Sequence, residues 1–260
     1  MILHHDVFGE LAPDVTPLVL LHGLFGSGTN WRTLARRFAA ELPVITFDAR
    51  NHGRSAHADQ MSYAEMAADV EASLAALDVR QAHILGHSMG GKTAMTLALT
   101  SPACVTSLIV ADIAPIAYQR GLGPELGLMQ GLPLTTIKRR ADADAALRDA
   151  LPDPGLRAFL LQNLEIRSDG TRWRLNLDAI EAAGALLTGF DAPDGTTYLG
   201  PASFIRGGMS DYLSPDHDVI VADRFPRAVS LTIDGAGHWL HAEQPDAFAE
   251  RVIDHLRSLA

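Results

Sequence analysis

The residue best suited to chemistry in this sequence is Ser88, which lies in the stretch HILGHSMGGKT between residues 83 and 93. It is the serine of a G-x-S-x-G pattern that follows a short apolar run and precedes a segment rich in Ala, Met and Leu. That context predicts a strand, a sharp turn and a helix, with the serine hydroxyl exposed at the turn. Gly86 and Gly90 would let the two backbones pass closely. The pattern therefore indicates a nucleophile for acyl transfer.

The same stretch also matches the phosphate-binding loop G-x-x-x-x-G-K-[ST], from Gly86 to Lys92 and Thr93. A nucleotide-binding loop would need residues 88 to 92 to be irregular, whereas the predicted helix starts at Ser88 and places Lys92 on a helix face. Nucleotide binding also leaves His238 without a role. We therefore favour the nucleophile, and we predict that Lys92 is a surface lysine or one that anchors a loop.

A serine nucleophile needs a base, because its hydroxyl reacts poorly at neutral pH unless its proton is taken. His238, in the glycine-rich stretch DGAGHW, is the candidate for this base. A carboxylate must then orient the imidazole. The chain order serine, acid, histidine is satisfied by both Asp112 and Asp211, so residue types and spacing leave that choice open.

Two backbone N–H groups are predicted to stabilise the negative charge that develops on the carbonyl oxygen during acyl transfer. One belongs to Met89, directly after the nucleophile. The other belongs to Leu24, in the turn after a predicted strand that ends at His22 and Gly23. His22 itself is expected to support that turn through a hydrogen bond.

Strands and helices alternate along the chain in a way that would bring these residues together. The run PLVLL, for example, is apolar at every position, which is typical of a strand buried on both faces of a parallel sheet. Strands are predicted at residues 1–8, 17–21, 44–47, 82–85, 107–111, 202–206 and 229–233, and helices at 30–40, after Ser62, after Ser88 and at the C-terminal end. The predicted fold class is α/β, with a doubly wound, mostly parallel sheet. The candidate residues all follow strand ends, where such sheets bind ligands.

The segment from residue 115 to 199 departs from this alternation. Its pattern is helical, it is punctuated by glycines and prolines, and it keeps large apolar residues such as Phe159 and Trp173. We therefore predict a helical cap inserted into the α/β domain. The domain itself would consist of residues 1–114 and 200–260.

Composition excludes several classes of function. The net charge of −10 disfavours nucleic acid, because phosphate neutralisation by Lys and Arg supplies most of that affinity. It also disfavours an anionic membrane surface. The single cysteine, Cys104, excludes an intrachain disulfide, and the N-terminus does not read as a signal peptide, so a cytoplasmic protein is expected. Neither Asp216-His217-Asp218 nor His4-His5-Asp6 has further ligands at a suitable spacing, so no metal is expected.

Several motifs together resemble the α/β-hydrolase superfamily, namely HGLFGSGTNW, FDARNHGRS, GHSMGGK, ADIAP, FIRGGMSDY and GAGHWLHAEQPDAF. More narrowly, they are similar to its branch of small bacterial carboxylesterases and acyl-thioesterases, which is related to mitochondrial abhydrolase-domain proteins. The matching pieces run from about residue 18 to 248. The resemblance implies hydrolysis of simple esters or acyl thioesters without a cofactor.

The resemblance also implies roles for individual residues. Ser88 would be the nucleophile, His238 the base, and Leu24 and Met89 the oxyanion donors. Close relatives take their acid from the position that matches Asp112, whereas the wider superfamily usually takes it from the loop that holds Asp211. A serine such as Ser210 hydrogen-bonds nearby in those close relatives. We favour Asp112.

The sequence thus predicts a serine hydrolase that cleaves small carboxylic esters through an acyl-enzyme intermediate. Phe25, His87 and Trp239 are candidate substrate-binding residues, and a structural, hydrogen-bonded histidine is the alternative for His87. Acyl-thioester hydrolysis by the same three residues is one alternative function. A non-catalytic ligand-binding protein on the same fold is an alternative of another class. The expected partner is a small-molecule ester or thioester.

Overall fold

The continuous apolar runs of the sequence form the central strands of a seven-stranded sheet, in a computed structural model that describes residues 1–193 and 195–259. The strands are β1 (His5–Phe8), β2 (Leu18–Leu21), β3 (Val44–Phe47), β4 (Ala82–His87), β5 (Val105–Ala111), β6 (Leu164–Arg167), β7 (Gly170–Trp173), β8 (Ala202–Gly207) and β9 (Ala228–Ile233). The sheet order is β1-β3-β2-β4-β5-β8-β9, and β6 pairs only with β7. Strand β1 is antiparallel to β3, and the other neighbours in the large sheet are parallel.

Helices cover both faces of this sheet. They are α1 (Arg32–Phe38), α2 (Tyr63–Ala76), α3 (Met89–Thr100), α4 (Glu125–Gln130), α5 (Arg140–Leu147), α6 (Pro154–Leu161), α7 (Leu177–Ala182), α8 (Gly184–Thr188), α9 (Asp218–Arg224), α10 (Leu240–Glu243) and α11 (Pro245–Arg257). Helices α2, α3 and α9 pack on one face, and α1 and α11 on the other. In β2, Leu18 and Leu20 enter one core layer while Val19 and Leu21 enter the other. This two-sided burial explains the unbroken apolar run, and the predicted doubly wound α/β fold is confirmed.

Element boundaries differ from the prediction by a few residues at several points. The strand 44–47 has the predicted bounds, and α2 follows Ser62, whose side chain accepts a hydrogen bond from the N–H of Glu65 at 3.2 Å. The first strand begins only at His5, and β4 continues to His87. The helix predicted at 30–40 begins as a 3₁₀ turn, Gly28–Trp31, and becomes α-helical at Arg32. Such differences arise because tertiary hydrogen bonds set the ends of elements.

The sequence pattern of the segment 115–199 predicts helices throughout, but the structure differs. It contains α4 to α8, but also the antiparallel hairpin of β6 and β7. Its turn needs Gly170, whose φ of 143° is a conformation that side chains rarely adopt. The division into a domain at 1–114 and 200–260 and a cap at 115–199 remains a prediction. Within the part of the chain that the structure describes, no helix is both long and apolar enough to span a lipid bilayer.

Candidate active site

Ser88 lies between β4 and α3 in a strained turn. Its φ of 52° and ψ of −116° are unusual for a residue other than glycine. A Cβ atom at Gly86 would lie 2.1 Å from the carbonyl oxygen of Gly90, and a Cβ at Gly90 would lie 2.4 Å from that of Leu21. Both positions therefore require glycine, and the close backbone approach holds the serine at the apex of the turn.

His238 follows β9 and connects Ser88 with Asp112. Its Nε2 is 3.1 Å from the hydroxyl oxygen of Ser88, and its Nδ1 is 2.7 Å from Oδ2 of Asp112. With those partners, Nδ1–H donates to the carboxylate and Nε2 accepts from the hydroxyl. The three side chains come from three strand ends that are far apart in sequence, and the parallel sheet brings them to one edge.

Asp112 is the carboxylate that meets this histidine, and it is fully buried. It follows β5 with a φ of 52°. Its Oδ1 accepts a hydrogen bond from the N–H of Gly207 at 2.9 Å, and its Oδ2 accepts one from the hydroxyl of Ser210. These donors compensate for the burial of the negative charge. Ser210 thus lies beside the acid, as the resemblance implies.

The structure does not bring Asp211 into hydrogen-bond contact with His238. The Asp211 side chain is 77% exposed, and its carboxylate forms an ion pair with Arg120 at 2.9 Å. The hydrogen bond from Arg120 lowers the pKa of this carboxyl. Neighbouring positions in the chain therefore face different surroundings: the Ser210 hydroxyl turns towards the buried acid, and Asp211 turns towards solvent.

Leu24 and Met89, whose backbone N–H groups are the predicted oxyanion donors, lie after β2 and at the start of α3. Met89 is the first residue of α3, so its N–H has no acceptor within the helix. Leu24 lies in a tight turn closed by a hydrogen bond of 2.9 Å from the N–H of Gly26 to the carbonyl of Gly23. Both residues line the same cavity as Ser88.

Two buried histidines support the turn that contains Leu24. Nδ1–H of His22 donates to the carbonyl of Gly23 at 2.8 Å, as expected for a turn-supporting residue. His52 accepts a hydrogen bond from the N–H of Phe25 at 3.2 Å, and Phe25 has a φ of 61°. Burial lowers the pKa of both histidines, that of His52 to about 3. A neutral His52 ring can accept the hydrogen bond from Phe25, whereas a protonated ring cannot.

A cavity of about 360 Å³ opens in front of Ser88. The candidate substrate-binding residues Phe25, His87 and Trp239 all line it. His87 also has a structural hydrogen bond, because its Nε2–H donates to the carbonyl of His238 at 2.8 Å. Burial lowers the pKa of His87 well below its ordinary value. Trp239 is 37% exposed and faces Phe159 of α6, with ring centroids 6.3 Å apart.

One residue at the site, Tyr212, is missed by sequence reasoning, and the position of Lys92 is only partly predicted. The ring of Tyr212 stacks on the imidazole of His238, with centroids 3.8 Å apart and planes 20° apart. Its position next to Asp211 in the motif FIRGGMSDY is the only signal that could have found it. Lys92, predicted to be at the surface or to anchor a loop, is 1% exposed and donates to the carbonyl of Thr188 at 3.0 Å. The surface position is wrong, because α3 is buried between the sheet and the segment 115–199.

Comparison with known proteins assigns the family. Residues 18–251 match the model of the alpha/beta hydrolase family. The chain is 38% identical to a protein of Danio rerio named sn-1-specific diacylglycerol lipase ABHD11, over 98% of this chain and 82% of that protein. It is 35% identical to Esterase YbfF of Escherichia coli K12, over 93% of both chains.

A solved structure, described as a marine microorganism esterase, superimposes on this fold with a TM-score of 0.91. It is 36% identical and the match covers 98% of this chain and 99% of that one. These relatives support ester hydrolysis as the class of reaction, and the chain belongs to the α/β hydrolase family.

Proposed function

We propose that this protein is a carboxylesterase that cleaves small carboxylic esters through an acyl-enzyme intermediate on Ser88. The observation that carries the proposal is the continuous hydrogen-bonded series from Ser88 to His238 to Asp112, with contacts of 3.1 and 2.7 Å. A serine, a histidine and a buried acid in this order suffice for nucleophilic catalysis on an activated carbonyl.

In the first half of the proposed reaction, the Ser88 oxygen attacks the ester carbonyl carbon while Nε2 of His238 takes the hydroxyl proton. The carbonyl oxygen becomes an oxyanion, which the N–H groups of Leu24 and Met89 would stabilise. Asp112 stabilises the imidazolium that forms. The tetrahedral intermediate then collapses, the C–O bond to the alcohol breaks, and His238 returns its proton to the leaving alcohol oxygen.

In the second half, water takes the place of the alcohol. His238 removes a proton from the water as its oxygen attacks the acyl carbon of the Ser88 ester. Collapse of this second intermediate releases the carboxylic acid and returns the proton to the Ser88 oxygen. Each half-reaction uses the same base and the same oxyanion donors, so no cofactor is required.

Aliphatic and aromatic side chains around the cavity favour an apolar acyl group. Leu187, Tyr63, Ile113 and Met89 all line it, and its volume of about 360 Å³ is towards the small end for ligand pockets. An acyl thioester would react by the same steps with a thiol as the leaving group. Thioester hydrolysis therefore remains the second candidate for the same site, and p-nitrophenyl and acyl-thiol substrates of equal acyl length distinguish the two.

The decisive experiment measures p-nitrophenyl butyrate hydrolysis by the wild type, Ser88→Ala and the control Ser168→Ala, whose serine is exposed in the β6–β7 hairpin. Ser88→Ala should lose about 10⁴-fold or more in kcat, because nucleophile removal in a comparable triad costs at least that much. The control should keep the wild-type rate. Equal rates for wild type and Ser88→Ala would contradict the proposal, and rates that do not exceed the uncatalysed rate in either protein would favour a ligand-binding protein.

Covalent labelling gives an independent test. A fluorophosphonate should add one label per chain to the wild type, as read by intact mass. Ser88→Ala should take up none, and His238→Ala should react far more slowly because its serine lacks a base. Labelling of Ser88→Ala at the wild-type rate would place the nucleophile elsewhere.

A further inference from the structure

Lys92 is a buried amine that the proposed mechanism does not use. It lies on α3, one helical turn after Ser88, and its side chain also lines the cavity. Its Nζ donates hydrogen bonds to the carbonyl oxygens of Thr188 and Gly189, at 3.0 and 2.5 Å. Thr188 is the last residue of α8, where carbonyl groups have no partner within the helix.

The surroundings of this amine hold it without a neighbouring carboxylate. Among residues 1–193 and 195–259, no carboxylate oxygen of an Asp or Glu lies within 4.0 Å of the Lys92 Nζ. The ring of Tyr118 lies 4.8 Å from Nζ and the ring of Tyr63 lies 5.6 Å from it. Burial lowers the pKa of Lys92 to about 7. Both the charged and the neutral amine have N–H donors for the two carbonyls.

Thr188, one of the two residues that Lys92 binds, lies in one wall of the cavity. Tyr63 donates its hydroxyl to the carbonyl of Leu187 at 2.6 Å, and the N–H of Tyr118 donates to the carbonyl of Thr188 at 2.9 Å. Leu187, Thr188, Tyr63 and Tyr118 all line the cavity. The three consecutive carbonyls from Leu187 to Gly189 are therefore bound by side chains and backbone from α2, α3 and the start of the segment 115–199.

This wall is also connected to the proposed base. The hydroxyl of Tyr118 accepts a hydrogen bond from the N–H of Ala114 at 2.9 Å and donates one to the carbonyl of Tyr212. Tyr212 in turn stacks on His238. A shift of the chain at Thr188 would therefore disturb Tyr118, and through it the ring that packs against His238.

From these contacts we propose that Lys92 is a positioning residue: its hydrogen bonds to Thr188 and Gly189 hold Leu187 and Thr188 in the wall against which the acyl chain of the substrate lies. Leu187 and the rings of Tyr63 and Tyr118 give this wall an aliphatic and aromatic surface, and the acyl chain is the part of the proposed substrate that has no polar group. The inference rests on the proposed esterase function. It assigns to Lys92 no contact with the reacting atoms.

The kinetic test uses Lys92→Met, which keeps the length of the side chain and removes its N–H donors. The kcat/KM values for p-nitrophenyl hexanoate and acetate are measured, and their ratio should fall about tenfold, mainly through a higher KM for hexanoate. Lys138→Met is the matched control, because Lys138 is the other lysine of the sequence and donates to a backbone carbonyl at an exposed position. An unchanged ratio in Lys92→Met would overturn the proposal.

Tyr63→Phe is a second variant that tests the same wall with a smaller change. It removes one hydrogen bond, to the carbonyl of Leu187, and should lower the hexanoate-to-acetate ratio by a factor of about three. If Lys92→Met does not fold, this variant decides the question. An unchanged ratio in Tyr63→Phe would then contradict the role of the wall.

Hydrogen exchange measures the same contact without catalysis. Amides within residues 184–192 should exchange at least tenfold faster in Lys92→Met than in the wild type, while amides of β4 and β5 keep their rates. Lys138→Met should exchange as the wild type does. Unchanged exchange at 184–192 overturns the positioning role, even if Ser88→Ala has shown that the protein is an esterase. Conversely, if Ser88→Ala keeps the wild-type rate, the esterase proposal is contradicted, and the exchange result then tests only whether Lys92 holds residues 184–192 in place.

Discussion

The imidazole of His238 lies 2.7 Å from the carboxylate of Asp112, although 126 positions separate the two residues in the chain. Asp211 is much nearer in sequence, but its carboxylate points to solvent and pairs with Arg120. Asp112 follows β5 with a positive φ of 52°, and Gly207 and Ser210 both donate hydrogen bonds to its carboxylate. Substitution of the two carboxylates should therefore affect catalysis differently.

Asp112→Asn should lower kcat for p-nitrophenyl butyrate by about 10⁴-fold, as the equivalent amide substitution does in a well-studied serine protease. An amide at this position favours the wrong tautomer of His238 and cannot stabilise the imidazolium. Asp211→Asn should change kcat by less than about tenfold, because it removes only an exposed ion pair. The reverse ranking of the two variants would make Asp211 the acid.

Ser210→Ala should weaken catalysis less than Asp112→Asn does. The Ser210 hydroxyl donates to the same carboxylate oxygen that meets His238, and hydrogen bonds to charged groups contribute about 1.5–3 kcal/mol. If that energy is expressed in the transition state, kcat falls by about 10- to 100-fold. The pH profile of kcat/KM supplies the measurement. A rate equal to that of the wild type at every pH would exclude a supporting role.

Gly86→Ala should destabilise the protein by about 3 kcal/mol or more, the upper range for overpacking. Its new methyl group would lie 2.1 Å from the carbonyl oxygen of Gly90, and the three nearest atoms all belong to the backbone of Gly90 and Gly91 rather than to a flexible side chain that could move. Gly127→Ala is the control, since a Cβ there meets nothing within 4 Å and the residue lies in α4. That control should gain up to about 1 kcal/mol from helix propensity. Urea unfolding measures both variants, and equal stabilities would refute the steric argument.

His52 should make the protein less stable as the pH falls. Burial lowers its pKa to about 3 from an ordinary 6.5, so between those values the unfolded chain binds the proton and the folded chain does not. Protons therefore favour unfolding in this window, and stability from this group is lost as the pH falls from about 6.5 towards 3.

The measurement is urea unfolding between pH 6.5 and 4.5 for the wild type and His52→Gln. Glutamine can still accept from the N–H of Phe25 but does not titrate. The free energy of unfolding should fall less steeply with decreasing pH in the variant, by up to about 1.4 kcal/mol per pH unit. Identical slopes would mean that His52 titrates in the folded protein as it does in the unfolded chain.

Much of the fold follows from the sequence alone, because strands buried on both faces leave unbroken apolar runs. Those runs, together with weaker strand patterns at residues 1–8 and 229–233, predicted the α/β class and seven strands of the sheet, four of which have bounds within one residue of the prediction. The hairpin of β6 and β7 was not predicted, since its strands have only four residues each and lie within a segment whose overall pattern is helical. Short local patterns of that kind do not distinguish a strand from a helix.

For the candidate site, the sequence by itself determined that Ser88 occupies a glycine-flanked turn and that His238 follows a strand end, because these depend on local backbone requirements. Only the tertiary structure decided which carboxylate meets the histidine. It also decided that Tyr212 stacks on that ring and that Lys92 is buried against Thr188. These contacts join residues from different strands and from the segment 115–199. They depend on how separate elements pack in space, which no spacing along the chain encodes.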